Sequence, residues 1–265
     1  MAVSRERLIY GGHTSCMAIH YDNELVIVDA GFGIANLAAE LARTSPVSKG
    51  GLTYHIFLTH FHWDHIQGLS YFIPIYFKGN NIVIHSPFET KVVEEILNLL
   101  FDGSYSPFNG LDSLPCNWEF EQMKGQTELG SCKVSHHETV HIGETYSFRF
   151  DTPAGSIVTA TDHDSAQSKT NDSFCEWAKG ADLLVHSAMY TPNEYEQLGG
   201  FGHSSFIDAL RNAENVGAAQ TLLTHHSPLR KDSDLADFER NLQQMYDTPK
   251  RKLSFAREGV IYRIG

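Results

Sequence analysis

The chain has 265 residues, 42% of them hydrophobic and 20% charged, enough apolar material to bury a sizeable core in one large domain or two small ones. Acidic residues outnumber basic ones 32 to 20, and the formal net charge of -12 argues against wrapping a long polyanion, which relies on Lys and Arg at phosphates. No apolar run approaches the length of about 18 residues that a membrane span requires, and the N-terminus has no signal-like stretch, so the expectation is a soluble, cytoplasmic protein.

Short apolar runs recur along the chain, many of them ending in Asp, His or Gly. Residues 17–21 and 24–33 read as paired strands around a turn at Asp22-Asn23. After Gly33 the spacing predicts a helix that ends near Pro46. The run 55–65 is β-type and breaks into a polar loop. Residues 81–86 form a further strand, and 88–101 an amphipathic helix.

The second half repeats this style. Strands are expected at 133–140, 145–151, 156–162, 181–188 and 221–227, with helices near 171–180, 204–217 and 233–246. Two β-type runs, KLSFARE and GVIYRIG, close the chain. This alternation suits an α/β fold in which two mixed β-sheets pack as a four-layer αββα sandwich. No composition break or linker divides residues 1–265, so a single domain is expected.

Four scattered cysteines (Cys16, Cys116, Cys132, Cys175) lack C-x-x-C spacing and suggest a reducing compartment. The short basic run Lys250-Arg251-Lys252 reads as solvated surface. The unusual count is fifteen histidines, because imidazole is the commonest metal ligand. Their placement carries more weight. In Thr59-His60-Phe61-His62-Trp63-Asp64-His65, His60 and His62 share one face of an extended segment, and Asp64 and His65 come where the strand turns. Four ligand-type side chains thus fall within six residues behind an apolar strand.

H-x-H-x-D-H in this context resembles the metallo-β-lactamase superfamily, and the likeness runs from Tyr10 to Ser227. It looks closest to the phosphodiesterase branch, which includes tRNA 3′-processing endonuclease and small cyclic-phosphodiester hydrolases. Asp29-Ala30-Gly31 is similar to the family's D-x-G turn. The segment His141 to Arg149 resembles its third motif, Ala160-Thr161-Asp162 its bridging aspartate, and Leu223-Thr224-His225 its last motif.

The resemblance implies a first metal ion on His60, His62 and His141. A second would sit on Asp64, His65 and His225, with Asp162 and a hydroxide between the two. All donors are imidazole or carboxylate, which suits two divalent ions, Zn2+ foremost, with Mn2+ or Fe as alternatives. His141 competes with His136 and His137, Asp162 with Asp164, and His225 with His226. Spacing favours His141, the strand-end position favours Asp162, and the resemblance gives the metal to the first His of the last motif, His225, with His226 lining the pocket.

The catalytic residues implied are Asp64 and His203. His203 lies in a G-H-S element similar to that of the phosphodiesterase branch, and an imidazole there can protonate a leaving oxygen. Ser187 stands where many relatives carry an acid, and His13 where they often have Asn. The implied activity is hydrolysis of a small phosphodiester, such as a cyclic nucleotide. A tRNA 3′-processing endonuclease and an acyl hydrolase of a thioester, lactone or lactam are the alternatives. Long nucleic acid and membrane are not expected partners, and a homodimer is. Tyr71, Phe72, Tyr76, Phe77, Tyr105 and Phe108 are candidates for stacking a base, for the aromatic core, or for a dimer contact.

Overall fold

The computed structural model describes residues 4–22, 24–165, 168–199 and 201–264. They form two compact units, His13–Lys124 and the described residues of Met1–Gly12 with Gly125–Gly265.

In the first unit, β1 (Met17–Tyr21) and β2 (Glu24–Val28) pair antiparallel. Asp22 between them takes the left-handed backbone, φ 48°, that a tight turn asks of its residues, and Asn23 lies outside the described residues. β3 (Thr53–Phe57), β4 (Asn81–Ser86) and β5 (Asn117–Gln122) add in parallel, giving a mixed sheet in the order β1-β2-β3-β4-β5. β4, flanked by β3 and β5, is buried along nearly its whole length, His85 and Ser86 included.

Helix α1 (Ile34–Thr44) buries Ile34, Ala38 and Leu41 on one stripe and stops at Ser45, because the residue before Pro46 is disfavoured in the helical region. α2 (Trp63–Ile66) is a single turn, and α3 (Thr90–Leu100) buries Val93 and Leu97. Ile27, Ile56 and Ile84 from the sheet share one apolar cluster with these helical residues and with Phe72 and Phe101. The polar loop expected after β3 is therefore partly helical. Residues 63–66 contain no Gly or Pro to break a turn, and His65 N–H donates to His62 O at 2.9 Å.

The second unit holds β6 (Thr127–Leu129), β7 (Cys132–Glu138), β8 (Tyr146–Thr152), β9 (Gly155–Ala160), β10 (Leu183–Ser187), β11 (Gln220–Thr224) and β12 (Lys252–Phe255). Their order is β12-β11-β10-β9-β8-β7-β6, parallel from β9 to β12 and antiparallel from β6 to β9. The helices are α4 (Lys169–Trp177), α5 (Pro192–Leu198), α6 (Phe206–Val216) and α7 (Asp232–Tyr246). α6 starts at Ser205, whose side chain accepts from Asp208 N, and ends at Gly217 in the left-handed conformation. Phe174, Phe206, Leu235, Tyr246 and Phe255 meet in this unit's core.

Both units thus pair a mixed sheet with helices, the α/β class expected. GVIYRIG is the exception. Its described residues form no strand, and Val260 and Ile261 are exposed with no sheet face to bury them. No helix among the described residues is long and apolar enough to cross a membrane.

Candidate metal centre

In the unit His13–Lys124, the ligand-type residues come after the C-terminal ends of parallel strands β2 and β3, where open α/β sheets place their binding groups. Asp29 comes directly after β2 and is fully buried, with a left-handed φ of 61°. Its Oδ1 accepts from Thr59 N and from Thr59 Oγ1, each at 2.9 Å, and its Oδ2 accepts from His65 Nδ1 at 2.7 Å. A proton held on Nδ1 leaves Nε2 of His65 as the atom that could serve a cation. The buried His60 is treated similarly, its Nδ1 lying 3.0 Å from Thr59 Oγ1.

The imidazoles converge. Ring centroids of His60 and His62 are 4.4 Å apart, those of His60 and His65 are 4.2 Å apart, and Asp64 Oδ2 lies 3.4 Å from His65 Nε2. Gly31 makes this packing possible. A Cβ there would stand 2.2 Å from the carbonyl oxygen of Asp64 and 2.5 Å from that of Ser15. Trp63, between ligand candidates His62 and Asp64, points its indole outward and is 69% exposed.

In the other unit the candidates again come after strand ends, Asp162 after β9 and His225 after β11, joined by His141 and His203 from loops. Asp162 Oδ1 lies 2.8 Å from His225 Nδ1, and its Oδ2 lies 3.4 Å from His141 Nε2. Asp162, His203 and His225 each offer a ligand-type atom within 4.8 Å of the others. His141 Nδ1 donates to Gly202 O at 2.8 Å, which again reserves Nε2 for a ligand role. The His203 ring stacks on His225 at 4.5 Å, and its Nδ1 lies 3.3 Å from Ser187 Oγ. Buried imidazoles and carboxylates, each turned by a neighbour, form a donor set that suits borderline divalent cations.

A family model described as a beta-lactamase superfamily domain matches residues 25–226, three quarters of the chain. This chain belongs to the metallo-β-lactamase superfamily. Among solved structures it is similar to the metallo-β-lactamase-fold protein YhfI of Bacillus subtilis, with a TM-score of 0.70 at 20% identity over 96% of this chain and 95% of that one. It also resembles a diphosphatase of the PhnP family, TM-score 0.63 at 20% identity over 94% and 84% of the two chains. Human tRNase Z, short form, gives a TM-score of 0.65 at 17% identity over 99% and 96%.

Curated relatives are named Ribonuclease Z. The protein of Brevibacillus brevis is 39% identical over 70 residues, 26% of this chain but only 22% of the relative's length. That of Staphylococcus aureus (strain MRSA252) is 22% identical over 274 residues, 86% of this chain and 87% of its own.

For this superfamily member the remaining histidines separate by environment. His136 and His137 sit on β7; His137 Nδ1 contacts the carbonyl oxygen of Glu138, and its ring lies against Trp177, centroids 5.4 Å apart. Neither is placed beside Asp162, whereas His141 is. Asp164 is occupied by Tyr195, whose hydroxyl donates to both carboxylate oxygens at 2.8 Å. Burial and this carboxylate push the Tyr195 hydroxyl above its ordinary range. His226 packs on Phe255 at 4.8 Å, and burial holds it down to about 4. Arg149 reaches away, donating to Trp177 O and Lys179 O at the end of α4. His13 lies 3.2 Å from Asn36 Nδ2.

The aromatic segment after the metal loop divides. Phe72 is buried edge-on against Tyr54 at 5.2 Å, and Tyr76 stacks on Phe108 at 5.4 Å, so Phe72 is a core residue and does not stack a base. Tyr71 and Tyr105 are exposed. What the sequence did not reveal is a buried polar network under the second unit's candidates. It comprises His163, Ser165, Asn171, His186, Ser204 and Asn212. Polar residues at the start of α4 and inside α6 were its only trace, since their partners lie up to 41 residues away.

Proposed function

We propose that the chain is a binuclear metal-dependent phosphodiesterase acting on a small phosphodiester, with both units serving one hydrolase domain across residues 1–265. His60, His62 and His141 are assigned to one ion, and Asp64, His65 and His225 to the other, with Asp162 shared. When bound, such a pair neutralises charge on phosphate oxygens and supplies a nucleophile at neutral pH. Zn2+ is the first choice, with Mn2+ and Fe as alternatives.

The observation that carries the phosphodiester assignment is His203. It is an imidazole outside the assigned ligand set, stacked on His225 and held at Nδ1 by Ser187 Oγ. In that orientation Nε2 is the atom that delivers a proton to the leaving oxygen, so His203 is assigned as the general acid. Asp64 and His65 belong to the one turn whose packing requires Gly31, which places their side chains before substrate arrives.

A second reading is a tRNA 3′-processing endonuclease, favoured by relatives named Ribonuclease Z that align over most of the chain. The net charge of -12 weighs against it, because a long RNA must be held by cations. An acyl hydrolase ranks below both, since the G-H-S element around His203 resembles that of the phosphodiesterase branch. Homodimerisation is a proposal from the superfamily; sedimentation at a mass near 29.7 kDa refutes it.

The test is a screen of metal-loaded protein against bis(p-nitrophenyl) phosphate, cyclic mononucleotides, cyclic dinucleotides, precursor tRNA and thioesters. Phosphodiester turnover that disappears in Asp64→Ala and after chelation supports the proposal. Thioester turnover without phosphodiester turnover overturns it, and cleavage restricted to precursor tRNA selects the second reading.

A further inference from the structure

The candidates in the second unit have an unusual relation to their sequence neighbours. Val140 precedes His141, His163 comes after Asp162, and Ser204 after His203. These three neighbours are tied to one another beneath the site. Ser204 Oγ donates to His163 O at 2.7 Å and accepts from Ser165 N at 2.9 Å, and Ser165 Oγ lies 2.6 Å away. A hydroxyl has one proton and two lone pairs, so these partners use all of its capacity. His163 in turn accepts at Nδ1 from Val140 N at 3.1 Å, and Asp164 N donates to Val140 O at 2.8 Å.

The tie is anchored from below. His163 Nε2 donates to Asn171 Oδ1 at 2.8 Å, Asn171 and Asn212 exchange amide bonds, and Asn212 Nδ2 lies 3.3 Å from His186 Nε2. His186 Nδ1 donates to Ser187 O at 2.8 Å, and Ser187 is the residue beside His203. Ser204 O also accepts from Met189 N and Tyr190 N, fixing the turn to the segment after β10. All six side chains of this network are buried.

We propose that Ser204 is a positioning residue, which sets the separation of His203 from Asp162 and, through Val140, from His141. Its neighbour Ser205 looks equivalent in the sequence yet has a different task. It caps α6 by accepting from Asp208 N, and among the described residues its side chain makes no hydrogen bond to the loops that carry Asp162 or His141. Deleting the Ser204 hydroxyl leaves Ser165 N–H and His163 O without their partner in a buried site, so both loops must shift. The inference rests on the proposed function in one respect: it takes Asp162, His141 and His225 to bind metal.

The test compares Ser204→Ala, Ser165→Ala and Ser205→Ala by competition for Zn2+ with a chromogenic chelator, and by kcat and KM on bis(p-nitrophenyl) phosphate. Outer residues that orient ligands are worth about 10- to 100-fold in metal affinity or activity. Ser204→Ala is therefore expected to lose at least tenfold in Zn2+ affinity and in kcat, with KM within twofold of the parent. Ser165→Ala, which keeps its N–H, is expected to lose measurably less than Ser204→Ala. Ser205→Ala is expected to melt earlier yet bind Zn2+ as the parent does.

Parent-like affinity in Ser204→Ala, or an equal loss in Ser205→Ala, overturns the inference. If Ser204→Ala does not fold, Ser165→Ala decides, and unchanged affinity there is the overturning result. The affinity measurement stands even if no phosphodiester is hydrolysed, so failure of the proposed function is seen separately.

Discussion

Replacing Asp29 by Asn changes one atom at the base of the metal loop, and the hydrogen bonds around it dictate the outcome. The carboxylate accepts from Thr59 N and Thr59 Oγ1 at one oxygen and from His65 Nδ1 at the other. An amide keeps only one accepting oxygen. Keeping both Thr59 bonds turns its NH2 towards His65, where two donors cannot face each other. The ring must then move its proton from Nδ1 to Nε2, the atom that the proposed function assigns to a metal. The opposite flip leaves the buried Thr59 N–H without an acceptor, at about 1 to 3 kcal/mol, while Thr59 Oγ1, 3.1 Å from Oδ2, keeps an oxygen to donate to.

Asn tolerates the φ of 61° at this position, so backbone strain does not confuse the result. The expected loss is about 10- to 100-fold in metal affinity, or about 1.4 to 2.7 kcal/mol. Chelator competition measures it, and melting of the metal-free protein reports the accompanying stability change of about 1 to 3 kcal/mol. Affinity within twofold of the parent, with His65 still protonated on Nδ1 by nitrogen NMR, refutes this reasoning.

Other positions give further outcomes. Gly31→Ala drives a methyl into two backbone carbonyls that cannot swing aside. It is expected to cost about 3 kcal/mol and lower the melting temperature by about 6 to 12 °C; a parent-like melt contradicts the close approach. Tyr195→Phe removes the donor to Asp164 and is expected to cost about 1 to 2 kcal/mol in urea denaturation, which an unchanged midpoint would disprove. Burial pushes His85 and His186 down to about 4, so both are neutral when folded and take up protons near pH 6.5 when unfolded. Between these values the unfolded chain binds more protons, so stability is full above about pH 6.5 and falls as pH drops towards 4. In excess chelator the urea midpoint is expected to be lower at about pH 5 than at about pH 7.5; an equal or higher midpoint at the acid value speaks against neutral buried rings.

The strong periodic elements were legible because their signals are local. β4 occupies the six residues 81–86 expected around its Ile82-Val83-Ile84 core, and α1, α3, α6 and α7 fall where apolar spacing places them. β5 escaped notice because its NWEFEQ sequence is half polar and alternates between exposed and half-buried positions. α5 was missed because a short segment opening with Pro192 and burying none of its residues has no periodic stripe to read.

At the candidate site, His60 to His65 announced themselves by crowding in sequence. The choice of His141 over His136 and His137 rested on spacing, and its physical reason is that β7 ends at Glu138, before the chain turns towards Asp162. Asp29 was visible as part of a turn, but its grip on Thr59 and His65 depends on residues 30 and 36 positions away. Ser204 carries no signal of its own in the sequence, standing beside another serine ahead of α6. Only tertiary structure separates it from the true cap at Ser205.

The outward indole of Trp63 has a practical consequence. The chain contains three tryptophans, and the other two, Trp118 and Trp177, are half-buried against aromatic neighbours. Trp63 alone stands in water with His62 on one side and Asp64 on the other. Any event that tightens that turn alters the polarity around the ring, so its emission colour and quenching serve as a native, dye-free optical gauge of the loop.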